Sequence, residues 1–383
     1  MMVALKNIKL VLDDKIISDA VVLMDKDRIV DYGKENCVQI PDNTNIFDGN
    51  GYYVGPGFVD IHCHGGGGFD MCQNPTQAAE HFLKHGETTV LPTFYTTTSK
   101  DEFIKYIQNL KEQKKKNNAS KIIPGYYMEG PYTNPKFGAS PELNKWLGDI
   151  VPDKYKEMVD ELGSLAIVWA VAPEREGVED FLKYAKKVNP KAVITIAHSE
   201  ATIEQAEMLK KYGIKLLTHC TNATGRIKRS AGTRACGPDE FCYLNNDIYA
   251  ELICDSLGIH VQPEMMKLIM KIKGIDKVVL ISDSFVSKEP TPKGYEHITD
   301  LSFDASGNLS GSKLTLDAAC RNIMKHTSCS MCDAFKMASI NPAKAVGLDN
   351  EVGAIAVWKK ANLVVVDEEF NIKNVIFEGD FVC

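Results

Sequence analysis

Two histidines, His62 and His64, stand two residues apart in the stretch PGFVDIHCHGGGG that ends at Gly68. The apolar run Phe58-Val59-Asp60-Ile61 before them reads as a short buried strand, and in a strand residues i and i+2 share a face. Both imidazoles then point one way at the end of a strand, where consecutive glycines let another group approach closely. Imidazole nitrogens are good ligands for zinc, iron and related divalent metals. Two histidines satisfied within a core would look the same in isolation, so the company they keep decides. That company is Glu129 in MEGPY, His198 in TIAHSE, His219 in LLTHCTNA and Asp283 in LISDSF.

The elements that must position these residues come from periodicity. Apolar strand-like runs fall at 57–62, 88–94, 122–128, 166–171, 193–197, 215–219, 249–254 and 278–282, and helical patterns separate most of them, at 76–85, 101–116, 176–187, 202–211 and 263–273. Eight βα repeats are the arithmetic of a (β/α)8 barrel, whose active site lies at the C-terminal mouth of the strands. Each metal-type residue falls at or just after the end of a different strand: His62 and His64 after the first, Glu129 after the third, His198, His219 and Asp283 after the fifth, sixth and eighth. Six unrelated core residues would not share that position. Outside the barrel, LKNIKLVL, DAVVLM and RIVDYG near the start and GAIAVW, ANLVVVD and NIKNVIFEGD near the end read as short strands. Neither piece can hold a core alone, so one small β-sandwich-like domain is expected from residues 1–53 and 351–383, flanking a barrel of residues 54–350.

Composition bounds the function. The chain has 383 residues, 44% hydrophobic and 25% charged, with formal net charge −7. An acidic balance argues against nucleic acid or an anionic membrane as partner, and no run approaches the roughly 20 apolar residues of a membrane span. The start of the chain carries no signal-peptide pattern. Eleven cysteines in such a chain read as reduced thiols in a cytoplasm, and Cys329-x-x-Cys332 has no second pair to complete a zinc site.

With these motifs assembled, the chain resembles the amidohydrolase superfamily and, within it, the N-acetylglucosamine-6-phosphate deacetylase branch. PGFVDIHCHGGGG is shared across the superfamily. MEGPYTNPKFGA, APE at 172–174, THCTNA at 218–223, SLGIHV around His260, LSGSKLTLDAACRN at 309–322 and the C-terminal NPAKAVGL and GAIAVWKKANLVVVD complete the match along nearly the whole length. The resemblance implies a metal held by Glu129, His198 and His219, with His62 and His64 serving a second ion and Glu129 bridging. Other amidohydrolases bridge two metals with a carbamylated lysine after strand four; here Ala170-Val171-Ala172-Pro173-Glu174 has none, and Glu129 takes that place. One or two divalent ions, zinc, iron or similar, are thus expected.

By the same resemblance Asp283 takes a proton from water and delivers it to the departing amine, while it also reaches the metal. The substrate expected is a phosphorylated amino sugar, N-acetyl-D-glucosamine 6-phosphate, yielding D-glucosamine 6-phosphate and acetate. Asn222, Ala223 and one arginine would hold its phosphate, His260 and Leu309, Ser310 and Gly311 its sugar, and Ala139 would line the N-acetyl pocket. Arg226, Lys228, Arg229 and Arg234 form a basic run without an acidic residue, suited to an anion. Gly-Thr-Arg at 232–234 aligns best, so Arg234 is the expected phosphate ligand and Arg226 its competitor. Two departures touch the substrate side: the loop 224–238 lacks the family's Arg-Glu-Pro, and Ser140 stands where the family has histidine. An N-acetylgalactosamine 6-phosphate deacetylase, or a non-catalytic sugar-phosphate-binding barrel, therefore remains an alternative. Resembling proteins are often homodimers in which an arginine enters the neighbour's site.

Overall fold

The computed structural model describes residues 2–382 apart from Ser140, the segment 226–232 and Arg234. Eight parallel strands form one sheet in sequence order: β1 (Phe58–Cys63), β2 (Glu87–Tyr95), β3 (Tyr126–Tyr132), β4 (Ala166–Val171), β5 (Val193–Ile196), β6 (Ile214–Leu217), β7 (Tyr249–Ile253) and β8 (Val278–Ile281). Parallel strands buried on both faces need apolar side chains on both. Val59, Ile61, Leu91, Tyr127, Val168, Leu216, Val279 and Ile281 fill the interior, while residues of the opposite parity meet the surrounding helices.

Those helices present the expected faces. Helix Lys100–Lys116 starts at a capping box in which the Ser99 side chain accepts from the Glu102 amide, and it buries Phe103, Ile107 and Leu110 at intervals of four and three. Helix Val178–Val188 buries Phe181, Leu182 and Ala185. Phe181 packs edge-on to Trp169 (5.1 Å) and Tyr132 (4.8 Å), so truncating it to alanine would cost about 3–5 kcal/mol.

β1 and β8 are joined at their C-terminal ends. The Asp283 amide donates to His62 O (2.9 Å) and the His64 amide to Ser284 O (2.8 Å). At the other end of this seam Asn341 Nδ2 donates to Ile275 O and Val278 O, both at 2.7 Å, and Ala343, Ala345 and Val346 join the interior core. Between β8 and helix Leu316–Thr327 a hairpin, Leu301–Phe303 with Leu309–Ser312, is inserted.

The terminal segments share a second sheet. Strands Met2–Val11, Ile16–Asp25, Arg28–Lys34, Asn45–Asp48 and Tyr53–Pro56 pair with Leu363–Val366, Ile372–Phe377 and Asp380–Phe381 through the antiparallel pairing of 53–56 with 363–366. Arg28 forms an antiparallel bridge with Lys360, and the sheet packs on a core of Leu5, Ile8, Val22, Ile29, Leu363 and Ile376.

Two expectations need correction. GAIAVW at 353–358 forms turns rather than a strand: Gly353 has φ +85° and packs so close to Ser339 and Ala343 that a Cβ would lie 2.5 Å from Ala343 Cβ. The third strand starts at Tyr126, four residues after the expected start; Ala119–Ile122 is a 3-10 turn, and Pro124 offers no donor to a central strand. Glu129 therefore lies within β3, paired opposite Tyr95.

Candidate active site

His198, His219 and Asp283 follow β5, β6 and β8 by two residues, and all three have left-handed backbones, with φ of 45°, 28° and 46°. Such conformations cost about 1–3 kcal/mol each in non-glycine residues and persist only where neighbours enforce them. The neighbours are present. Asn134 donates to His198 O (2.9 Å), Asn222 to His219 O (2.6 Å), and Ser312 to Asp283 O (2.7 Å). The chain turns sharply at the strand ends, and three side chains are aimed into the mouth.

At the centre lies the buried Glu129 carboxyl group. Its Oε1 is 2.8 Å from His198 Nε2 and 3.0 Å from His219 Nε2; its Oε2 is 3.2 Å from His64 Nε2 and 3.4 Å from His62 Nε2. Asp283 Oδ1 faces the same pair from the other side, at 3.3 Å from His64 Nε2 and 3.5 Å from His62 Nε2. The ligand atoms fall into two trios, Glu129–His198–His219 and His62–His64–Asp283, each within 4.8 Å.

The far ring nitrogens test whether these groups fit a metal. His62 Nδ1 faces Glu251 Oε2 (3.3 Å), His64 Nδ1 faces Thr93 O (3.0 Å) and His219 Nδ1 faces Asn222 O (3.2 Å). Each partner is an acceptor, so the proton sits on Nδ1 and the Nε2 lone pair points into the site. Lone pairs converging on carboxyl oxygens call for a cation between them, and the buried His62 Nε2 has no hydrogen-bond partner. Burial lowers the basicity of His62 and His64, but Glu129 and Asp283 outweigh it; His62 rises well above its ordinary value and His64 to about 9. The field that holds a proton so strongly also draws a divalent ion. Burial pushes the Asp283 carboxyl up, His62 and His64 more than offset this, and it stays ionised. The donor set fits a metal.

The expected substrate residues surround the trios. Gly311 (φ +57°) touches Asp283 so closely that a Cβ would lie 2.6 Å from its carbonyl oxygen, and Leu309 and Ser310 precede it in the hairpin strand, half-buried. His260 is fixed between Asp255 Oδ2 (3.0 Å) and Gly311 O (3.2 Å). Asn222 keeps its Nδ2 without a hydrogen-bond partner beside Ala223, whose φ is 53°. Ala139 O accepts from the Tyr95 hydroxyl at 3.1 Å. Arg226, Arg234 and Ser140 lie outside the described residues.

Sequence reasoning missed three residues. Tyr95 ends β2 with its ring 6.1 Å from His64 and 5.8 Å from His198; the strand-end rule that picked out the candidate ligands could have found it. Glu251, a lone acid in the apolar run YAELIC, lies fully buried behind His62. Asp255 accepts the amides of Leu257, Ile259 and His260 and thereby sets the His260 loop.

A barrel with this mouth defines a class. The Amidohydrolase family matches residues 53–382, and the chain belongs to that family. It is similar to an N-acetylgalactosamine-6-phosphate deacetylase of Escherichia coli O157:H7, 28% identical over 346 residues that cover 85% of this chain and 86% of that one. It is also similar to an N-acetylglucosamine-6-phosphate deacetylase of Haemophilus influenzae, 26% identical over 361 residues covering 89% of each. A solved N-acetylglucosamine-6-phosphate deacetylase from Thermotoga maritima superimposes with a TM-score of 0.81 at 27% identity, over 100% of this chain and 99% of that one.

Proposed function

We propose that this chain is a metal-dependent deacetylase that converts N-acetyl-D-glucosamine 6-phosphate and water to D-glucosamine 6-phosphate and acetate, in amino-sugar catabolism and recycling. The observation that carries the reading is the convergence of four imidazole Nε2 atoms and two carboxyl groups at the barrel mouth. Similarity to named deacetylases along most of the chain supports the substrate class.

Glu129, His198 and His219 would hold one divalent ion and His62 and His64 a second, which when bound polarise an amide carbonyl and make water acidic enough to attack it at neutral pH. Asp283 moves the protons. Ionised at rest, its carboxylate accepts a proton from the attacking water, then gives it to the amine nitrogen as the carbon–nitrogen bond breaks. Acetate and the free amine leave, and Asp283 is a carboxylate again. Asn222, Ala223 and Arg234 take the phosphate, His260 and 309–311 the sugar, and Ala139 the acetyl group.

N-acetylgalactosamine 6-phosphate is the second reading, favoured by the 28% identity to a deacetylase of that name. Acetate release from both sugars, with and without 6-phosphate, after metal stripping and restoration, tests the whole scheme. Metal-dependent release with preference for the gluco epimer is expected. A preference for the galacto epimer selects the second reading, and failure to release acetate from any of them dismisses the enzyme. A homodimer and a cytoplasmic location complete the proposal; the location is in keeping with the ten described cysteines, which are free thiols, and among the described residues no helix is long and apolar enough to cross a membrane.

A further inference from the structure

Glu251 occupies the middle of β7, flanked by Ala250 and Leu252 and wholly buried. A carboxyl group there is strongly disfavoured unless its oxygens are satisfied. Its Oε1 accepts from the Tyr127 hydroxyl (3.2 Å), and its Oε2 faces His62 Nδ1 (3.3 Å) and accepts the His219 amide (3.3 Å). Tyr127 in turn meets Thr218 Oγ1 at 2.6 Å, and Thr218 meets Thr195 Oγ1 at 2.8 Å. This polar floor lies beneath both trios, with contributions from β3, β5 and β7 and from the residues that follow β6. One oxygen of Glu251 thus touches a member of each trio: the ring of His62 in one and the backbone of His219 in the other.

The two contacts are not equivalent. At His219 the bond goes to the main chain, and the ring takes its Nδ1 partner from Asn222 O. At His62 the bond goes to the ring itself and fixes the proton on Nδ1, so that Nε2, 3.4 Å from Glu129 Oε2 and 3.5 Å from Asp283 Oδ1, presents a lone pair. His64 has a carbonyl partner instead. We propose that Glu251 is a positioning residue that determines whether the His62–His64–Asp283 trio holds its own divalent ion. The proposal rests on the two-ion form of the functional reading above, and it assigns the second ion's affinity to a side chain that touches neither ion nor substrate.

The test is metal binding to the intact, metal-stripped protein, with Zn²⁺ titrated calorimetrically and Co²⁺ followed by its visible absorption. The parent is expected to take two ions per chain. Glu251→Gln keeps the shape but loses the charge, and partners behind a ligating histidine change affinity by about 10- to 100-fold when replaced. The variant should therefore bind its weaker ion 10- to 100-fold less tightly, with the tighter ion within threefold and the melting temperature of the stripped protein unchanged. Two ions bound with parental affinities overturn the role of Glu251 alone. Equal weakening of both ions together with a lower melting temperature makes Glu251 merely structural. A parent that saturates with one ion removes the two-ion reading, and this role with it. If Glu251→Gln does not fold, Tyr127→Phe removes a donor from the same carboxyl group; it should weaken only the second ion, and no change there overturns the proposal.

Discussion

The two candidate ligand trios share one carboxyl group's neighbourhood but are built differently. Glu129–His198–His219 draws on β3 and on residues just past β5 and β6, with β4 pairing between β3 and β5, and its contacts to Glu129 are the shorter ones, 2.8 and 3.0 Å. His62–His64–Asp283 spans the seam between β1 and β8, and its contacts run from 3.2 to 3.5 Å. The first is set by a continuous stretch of paired strands, the second by a junction. The shorter contacts belong to the half of the site on paired strands and the longer ones to the half across the junction.

Substitutions should separate these halves. The largest effect is expected from Asp283→Asn, which leaves the Glu129 trio intact and removes the only proton carrier in the proposed scheme. Turnover should fall by about 10² to 10⁴ while the tighter ion remains bound; activity within a few-fold of the parent would assign proton transfer elsewhere. Next, metal content should divide by trio. His198→Asn should abolish the tighter site, and His62→Gln with His64→Asn should lower occupancy while sparing it. Unchanged metal content in all of these variants would dissolve the distinction between halves.

Beyond the trios the expected effects become smaller. Arg234→Ala should reduce kcat/KM by about 10- to 200-fold for a 6-phosphorylated sugar, from the loss of a charge-assisted hydrogen bond of roughly 1.5–3 kcal/mol, and should barely touch the unphosphorylated one. The same selectivity in Arg226→Ala instead would move the phosphate contact to that residue. The smallest effect belongs to the His260 loop. Burial raises the Asp255 carboxyl, but His260 and the amides of Ile259 and His260 bring it down to about 2. A carboxyl depressed on folding stabilises above its unfolded value near 3.8 and loses that contribution as pH falls through about 2. Melting curves of parent and Asp255→Asn should therefore differ at pH 5–7 and converge between pH 3.8 and 2. A gap that stays constant across that range would show that packing, not charge, holds the loop.

Much of this was legible in the sequence because barrel geometry turns strand ends into addresses. All eight strands were read, and His62, His64, Glu129, His198, His219 and Asp283 meet at one mouth. What escaped notice has physical reasons. Left-handed backbones at His198, His219 and Asp283 leave no glycine to mark them. Glu251 is one acid in an apolar run, and nothing local says that its partners are on β1 and β3. Pro124, a local signal passed over, delayed the third strand, and Gly353 packs against Ser339 and Ala343, neighbours that the run 353–358 does not itself reveal.

The seam carries a last consequence, for the order in which the molecule becomes active. The amide of Asp283 donates to the carbonyl of His62, and the amides of His64 and Gly65 donate to Ser284 O, so the contacts that join β1 to β8 at the mouth also bring Asp283 to the histidines. During synthesis His62 and His64 precede Asp283 by more than 200 residues and must wait for the last strand of the barrel. Until β8 docks against β1, Asp283 is not beside His62 and His64 and the proposed chemistry is incomplete. The appearance of activity then reports that the barrel has closed.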